Sequence, residues 1–354
     1  MESNEAAVSN GQQPRPALST NGSSGPRDSK GWDGKLRVDK KAVLANPEAL
    51  SDPDYSDEDA PAEIDLVHCR ISSLPALRLE RFHKVERLCL RQNQISQIEF
   101  PEALGPTLQD LDLYDNLISH IKGLEQLIHL TSLDLSFNKI KHIKHLNHLE
   151  EVTDLYLLQN RISKIEGLDG MTRLRNLELA ANRIREVENL ETLVNLEELW
   201  LGKNKIVEIN VTFLLTNISH LQNLKILSIQ SNRLTKITGV SELPNLEEIY
   251  ISHNALTEIS GLDNNTNLRI LDISNNQIRN LSGFKSLTKL EELWASSNLL
   301  DSFEEVEEQL RDKKDLNTVY FEANPLQLRG PAVYRNKVKL ALPNIEKVDA
   351  TYVK

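Results

Sequence analysis

The chain has 354 residues, and 41 Lys and Arg against 52 Asp and Glu give a net charge of −11. Because phosphate binding requires a positive surface, this balance argues against nucleic acid as the main ligand. The sequence contains no run of about 18 apolar residues that could span a bilayer. It has no recognisable secretory signal and only two cysteines, Cys69 and Cys89, and these two observations together favour a reducing compartment.

Residues 1–62 are rich in Ser, Asn, Gly, Pro and charge. Such a segment buries too little apolar surface to offset the entropy of ordering, so we expect a disordered, acidic N-terminal tail. It ends in an acidic run at residues 51–59. Ser51 and Ser56 each precede an acidic residue by three positions and are possible phosphorylation sites, although a solvated run of charge explains the pattern as well.

From residue 63 the sequence is periodic, mostly at intervals of 22 residues around an asparagine. One unit carries Leu155, Leu157, Asn160, Ile162 and Ile165, and the other units keep the same offsets. Cys69 occupies the asparagine slot of a first unit, which brings the number of units to about twelve. The recurring asparagines are Asn93, Asn116, Asn138, Asn160, Asn182, Asn204, Asn232, Asn254, Asn276, Asn298 and Asn324.

This pattern, L-x-L-x-x-N-x-I-x-x-I, is that of a leucine-rich repeat. It predicts an α/β solenoid in which L-x-L forms a short strand, the strands build a parallel sheet on the concave side, and the asparagines form a buried hydrogen-bonded ladder. At about 4.8 Å per strand, the sheet would extend for roughly 50 Å. We assign the repeats to residues 63–324.

Two units are longer than the others. The segment 211–216 is expected to form a longer helix or a bulge, and 304–312 to form an acidic helix. Residues 325–354 are expected to cap the last apolar face of the solenoid, with a helix at about residues 331–341.

The residues that alternate with the strand leucines should point into the concavity. The central one lies four positions before each asparagine, and this central column contains five aromatic residues although aromatics make up only 5% of the chain. Exposed rings interleaved with carboxylates favour binding of a protein with basic and apolar side chains. The central column consists of Cys89, Asp112, Asp134, Tyr156, Glu178, Trp200, Ser228, Tyr250, Asp272, Trp294 and Tyr320.

No catalytic motif or cofactor-binding motif accompanies the repeats, and the carboxylates are spread along a sheet rather than paired, so we expect no enzyme activity and no cofactor. The closely spaced His142, His145 and His148 suggest a metal site, but each precedes a core residue, which favours a solvated face. Cys69 is expected to be buried and inert. Cys89 lies on the concave edge, where a thiol can react, but no cysteine-nucleophile motif flanks it.

Several phrases resemble a known family, the leucine-rich-repeat regulatory subunits of protein phosphatase 1 (regulatory subunit 7). They are Leu90-Arg-Gln-Asn93, Leu201-Gly-Lys-Asn204, the run 230–237 (QSNRLTKI) and the cap phrases Leu340-Ala-Leu-Pro343 and Asp349-Ala-Thr351. The resemblance covers about residues 63–354.

The resemblance implies a nuclear and cytoplasmic protein that binds the phosphatase catalytic subunit through its concave face, acts in mitosis or phosphatase maturation, and joins a small inhibitor protein in a ternary complex. Because capped solenoids are often monomeric, we expect a monomer before complex formation. The central column adds Tyr250 as a binding residue. The family's binding positions match Asp134, Tyr156, Glu178, Trp200, Asp272, Glu292, Trp294 and Tyr320. A structural adaptor of a ribonucleoprotein or of a microtubule-associated complex remains the alternative.

Overall fold

The computed structural model describes residues 62–207 and 218–353. Ser51, Ser56 and all of the predicted tail except Ala62 lie outside these residues, as does the lengthened segment at 211–216. Among the described residues, no helix is long and apolar enough to cross a bilayer.

The strands are three residues long, one in each repeat, and neighbours in sequence pair in parallel. A strand this short follows from the L-x-L pattern, because only two leucines per repeat face the core before the chain turns. The strands are β1 Glu63–Asp65, β2 Arg87–Cys89, β3 Asp110–Asp112, β4 Ser132–Asp134, β5 Asp154–Tyr156, β6 Asn176–Glu178, β7 Glu198–Trp200, β8 Ile226–Ser228, β9 Glu248–Tyr250, β10 Ile270–Asp272, β11 Glu292–Trp294 and β12 Thr318–Tyr320.

The core lies between this sheet and the return segments. In the fifth repeat, Leu155, Leu157, Ile162 and Ile165 are all fully buried, and the same offsets are buried along the rest of the described repeats. The return segments contain little regular structure apart from short 3₁₀ turns at Pro75–Leu77, Leu79–Arg81, Glu102–Leu104 and Val240–Glu242. The predicted leucine-rich-repeat solenoid is therefore confirmed.

The recurring asparagines bind backbone groups of two repeats at once. Asn182 Nδ2 donates to the carbonyls of Leu157 (2.9 Å) and Leu179 (3.1 Å), and its Oδ1 accepts from the N–H of Ile162 at 3.0 Å. Such bonds are needed because a buried amide without partners is costly. Asn93 takes the same role for the first repeat, where its Oδ1 accepts from the N–H of Cys69 at 3.0 Å.

A second set of asparagines bridges the return segments and was missed in the sequence. Each Nδ2 donates at 2.9 Å to a carbonyl of the preceding repeat, from Asn195 to Thr172 and from Asn223 to Val194, for example. These side chains are exposed, so we expect each to stabilise the fold less than a buried asparagine does. The set consists of Asn195, Asn223, Asn245 and Asn267.

The C-terminal segment closes the solenoid with helices α1 (Phe303–Leu310), α2 (Pro325–Leu328) and α3 (Pro331–Ala341) and the short strands β13 (Lys347–Val348) and β14 (Thr351–Tyr352). β13 continues the parallel sheet, and β14 pairs with it antiparallel.

The side chain of Asp349 provides the hydrogen-bond acceptor that the backbone of a further repeat would otherwise provide. Its Oδ1 accepts from the N–H groups of Phe321 at 2.9 Å and Glu322 at 3.1 Å. This carboxylate therefore satisfies donors that would otherwise be left unpaired at the end of the ladder.

Candidate functional site

The central column forms one continuous row on the side of the sheet that faces away from the leucine core, which we call the sheet face. The strand register pairs each of its members with the next, for example Asp134 with Tyr156 and Tyr156 with Glu178. The register runs unbroken from Cys89 to Tyr320. The predicted partner-binding residues of this column therefore share one surface, and Glu292 lies on the same strand as Trp294.

Four rings form what we call the ring row: Trp200, Tyr250, Trp294 and Tyr320. Neighbouring ring centroids are 6.3, 6.1 and 5.8 Å apart. Trp200 and Tyr250 are only 6% and 8% exposed, so the expectation of freely exposed rings was wrong for these two.

The reason is the size of the residues between the rings. Ser228 separates Trp200 from Tyr250, and Asp272 separates Tyr250 from Trp294 along the strand register. These small side chains let the rings lean across one strand and touch, and the rings in turn bury Ser228 and Asp272 to 0% and 3% exposure. The rings lie outside the leucine core but cover one another.

Three of the rings also donate a hydrogen bond to a glutamate two residues earlier on the same strand. Tyr250 Oη donates to Glu248 Oε2 at 2.7 Å, and Trp294 Nε1 donates to Glu292 Oε2 at 2.8 Å. The corresponding distance between Trp200 Nε1 and Glu198 Oε2 is 3.1 Å. The repeated Glu-x-aromatic spacing is visible in the sequence, but its chemistry was missed.

The column acids have a structural role that the sequence analysis did not predict. Asp134, Glu178 and Asp272 each accept a hydrogen bond from the backbone N–H two residues later, at 2.8, 2.9 and 3.0 Å. Asp112 does the same for Tyr114 at 3.0 Å. Such local side-chain-to-backbone bonds are typical of acidic residues in turns.

Burial changes the protonation of these acids. It raises the pKa of Glu178 to about 8 and that of Asp112 to about 7, the latter also because Asp134 lies next to it. Burial likewise raises the pKa of Asp134 and of Asp272. Part of the sheet face is therefore close to neutral at physiological pH.

Glu178→Gln is expected to stabilise the protein at alkaline pH. The pKa of Glu178 rises from 4.5 to about 8 on folding, so the native state binds more protons within this window and loses stability as pH increases through it. Glutamine keeps the acceptor for Ala180 but carries no charge. We expect no difference near pH 5 and about 1–2 kcal/mol in favour of the variant near pH 9, after allowance for solvent screening.

Urea unfolding between pH 5 and pH 9 measures this difference. The control is Glu308→Gln, which removes an exposed carboxylate from α1. Equal pH dependence in the wild type and both variants would contradict the burial of the Glu178 charge.

The N-terminal end of the sheet face is internally paired. Arg91 lies 4.2 Å above the ring of Tyr114 and 3.3 Å from Asp112, and Tyr114 contacts Phe137 with ring centroids 4.8 Å apart. Burial raises the pKa of the Cys89 thiol to about 12. A raised pKa disfavours the thiolate and therefore argues against a reactive thiol at Cys89.

The three neighbouring histidines do not converge. His142 Nδ1 lies 3.0 Å from Glu166 Oε1, whereas His148 Nε2 lies 3.1 Å from the carbonyl of Leu124. His145 occupies a left-handed turn position with φ of 59°. Within residues 62–207 and 218–353, no three His, Cys, Asp or Glu side chains are grouped to hold a metal ion.

These features define a solenoid repeat protein with a row of acidic and aromatic side chains on its sheet face. A family model described as "Leucine Rich repeats (2 copies)" matches residues 172–220, 222–264 and 266–308, and a second, "Leucine rich repeat", matches 128–184. Together they cover half of the chain, which belongs to the leucine-rich-repeat proteins.

Two curated relatives carry the names of phosphatase subunits. The chain is 58% identical over 59 residues to "Protein phosphatase 1 regulatory subunit SDS22" of Schizosaccharomyces pombe, which is 17% of this chain and 18% of that protein. It is 48% identical over 56 residues to "Protein phosphatase 1 regulatory subunit 7" of Homo sapiens, 16% of this chain and 15% of that protein. The match thus spans less than a fifth of either relative.

These matches confirm the resemblance to the leucine-rich-repeat regulatory subunits of protein phosphatase 1. Among solved structures, an internalin of Listeria monocytogenes is similar in fold, with a TM-score of 0.65, 22% identity, and coverage of 88% of this chain and 95% of that one.

Proposed function

We propose that this chain is a non-catalytic regulatory subunit that binds the catalytic subunit of protein phosphatase 1 through the sheet face and controls its activity, maturation or location. The names of the matched relatives support the partner. The sheet face supports the mode of binding, since its central column presents rings and carboxylates in register over the eleven strands from β2 to β12. A role in mitosis, residence in the nucleus and cytoplasm, and a ternary complex with a small inhibitor protein are part of the same proposal.

The observation that carries the proposal is the ring row with its adjacent carboxylates. Aromatic residues are typical of the energetic centre of protein interfaces, and acids around them speed association with a basic partner. Glu198, Glu248 and Glu292 lie along one side of the ring row in one register column, on every second strand, with Ile226 and Ile270 between them. A partner that covers this face would therefore need an apolar centre and basic side chains.

The first experiment mixes the purified full-length chain with recombinant protein phosphatase 1 catalytic subunit. We expect the free 40.2 kDa chain to elute as a monomer by light scattering and to form a one-to-one complex with the catalytic subunit. Calorimetry should give an affinity that weakens as salt increases, because the rim of the site is acidic. Phosphatase assays of the complex then report the sign of regulation.

Absence of a complex at micromolar concentrations would contradict the proposal. Affinity purification of the tagged chain followed by mass spectrometry distinguishes the alternatives. Recovery of RNA that survives high salt would favour a ribonucleoprotein subunit, and recovery of tubulin or dynein subunits would favour a microtubule adaptor.

A further inference from the structure

Glu198, Glu248 and Glu292 hold a fixed relation to the rings that follow them. Alternate residues of a strand point to the same face, so a glutamate and an aromatic residue two positions apart stand side by side on the sheet face. In β7, β9 and β11 the glutamate Oε2 accepts from the ring N–H or O–H at 3.1, 2.7 and 2.8 Å. Each bond restricts the orientation of one ring.

The rings restrict one another from the other side. Trp200 and Tyr250 are nearly parallel, with an interplanar angle of 18°, and Tyr250 meets Trp294 at 56°. The side chains of Trp200 and Tyr250 are therefore each held by two independent contacts. One is the hydrogen bond to a carboxylate on the same strand, and the other is the contact with a ring two strands away. These contacts explain how both rings are buried although they lie outside the leucine core.

Tyr156 provides an internal comparison. The residue two positions before it is Asp154, whose side chain is one methylene shorter and accepts from the Thr153 hydroxyl at 2.7 Å. The Tyr156 hydroxyl accepts from Asn176 Nδ2 at 3.4 Å. Hydrogen bonding from the ring to a glutamate thus occurs, among the described strands, where neighbouring rings also touch.

We propose that Glu198 and Glu248 are positioning residues, whose carboxylates hold Trp200 and Tyr250 in the orientation in which the ring row meets a partner protein. The identity of that partner rests on the proposed function. A side chain that is already ordered loses little conformational freedom on binding, so preorganisation increases affinity without adding a contact. A charge that only steers the partner would instead change the association rate.

Matched substitutions separate these two roles. In Glu198→Gln with Glu248→Gln, the amide oxygen can still accept the bonds from the rings, but both charges are lost. In Glu198→Ala with Glu248→Ala, charges and bonds are lost together. Asp154→Ala is the control for loss of a carboxylate from the same face without a glutamate–ring bond.

We expect the alanine pair to weaken binding of the phosphatase catalytic subunit about tenfold, mainly through faster dissociation. The glutamine pair and Asp154→Ala should stay within about threefold of the wild type in dissociation rate. If the glutamine pair loses as much affinity as the alanine pair, the glutamates act through charge and the inference is overturned.

A second measurement needs no partner. Nitrogen-15 relaxation of the Trp200 indole N–H in the free, full-length chain should give an order parameter of about 0.85 for the wild type and the glutamine pair, and below about 0.6 for the alanine pair. An unchanged order parameter in the alanine pair overturns the inference even if the phosphatase binds. If ring order depends on the glutamates but the wild type binds no phosphatase, the proposed function fails while the positioning role stands.

Discussion

Replacing both Trp200 and Trp294 with alanine is expected to reduce binding of the phosphatase catalytic subunit by at least 100-fold. Truncation of an ordered aromatic anchor costs about 2–4 kcal/mol in protein interfaces. The two effects need not add, because both rings contact Tyr250. The loss of either ring also frees Tyr250 to move, so part of the effect comes from disorder of the remaining row.

Calorimetry or surface-based kinetics with the full-length variant measures this loss, and far-UV circular dichroism confirms that the repeats remain folded. The control removes two apolar side chains from the return segments, Ile128→Ala with Val194→Ala, which are 49% and 47% exposed. Wild-type affinity in the tryptophan variant, or an equal loss in the control, would move the binding surface away from the ring row.

The second large effect concerns the asparagine ladder. Asn182→Ala is expected to lower the free energy of unfolding by about 3–5 kcal/mol. Asn182 is 7% exposed and bonds four backbone groups of two adjacent repeats, at 2.9, 3.0, 3.1 and 3.2 Å. Alanine provides neither donor nor acceptor, so these groups lose their side-chain partner in a site that water does not reach.

Asn195→Ala is the matched control, because it removes the same chemical group from a neighbouring unit. Asn195 is exposed and donates one bond, at 2.9 Å to the carbonyl of Thr172, and water can replace that bond. We expect a loss of about 0.5–1 kcal/mol. Urea unfolding followed by circular dichroism compares the two variants, and equal losses would contradict the argument that burial makes the ladder essential.

The sequence alone predicted the repeat, the inward leucines and the two-repeat span of the asparagines. This was possible because residues 22 positions apart occupy equivalent places in successive repeats and have the same surroundings. The burial pattern of one unit, such as Leu155 to Ile165, therefore predicts that of the others. The same periodicity placed the central column on one face. The relation of a residue to its own repeat is thus encoded locally.

The conformation of the backbone turn after each strand does not follow from the local sequence. The residue before every ladder asparagine has a left-handed φ of 53–58°, although most of these residues are neither Gly nor Asn. Phe137 and Lys203 adopt it as readily as Asn275 does. The neighbouring repeats impose this conformation through the ladder bonds, whose stabilisation outweighs the local strain of about 1 kcal/mol or more per residue.

The environment of the sheet face was likewise decided only by the tertiary structure. The period predicts that Trp200 and Asp272 point away from the core, but not that both are buried. Strands about 4.8 Å apart bring each outward side chain against those of its neighbours. Whether it stays exposed then depends on their sizes, so Ser228 lets two rings close above it, and a carboxylate that appears free in the sequence becomes a buried acceptor for its own backbone.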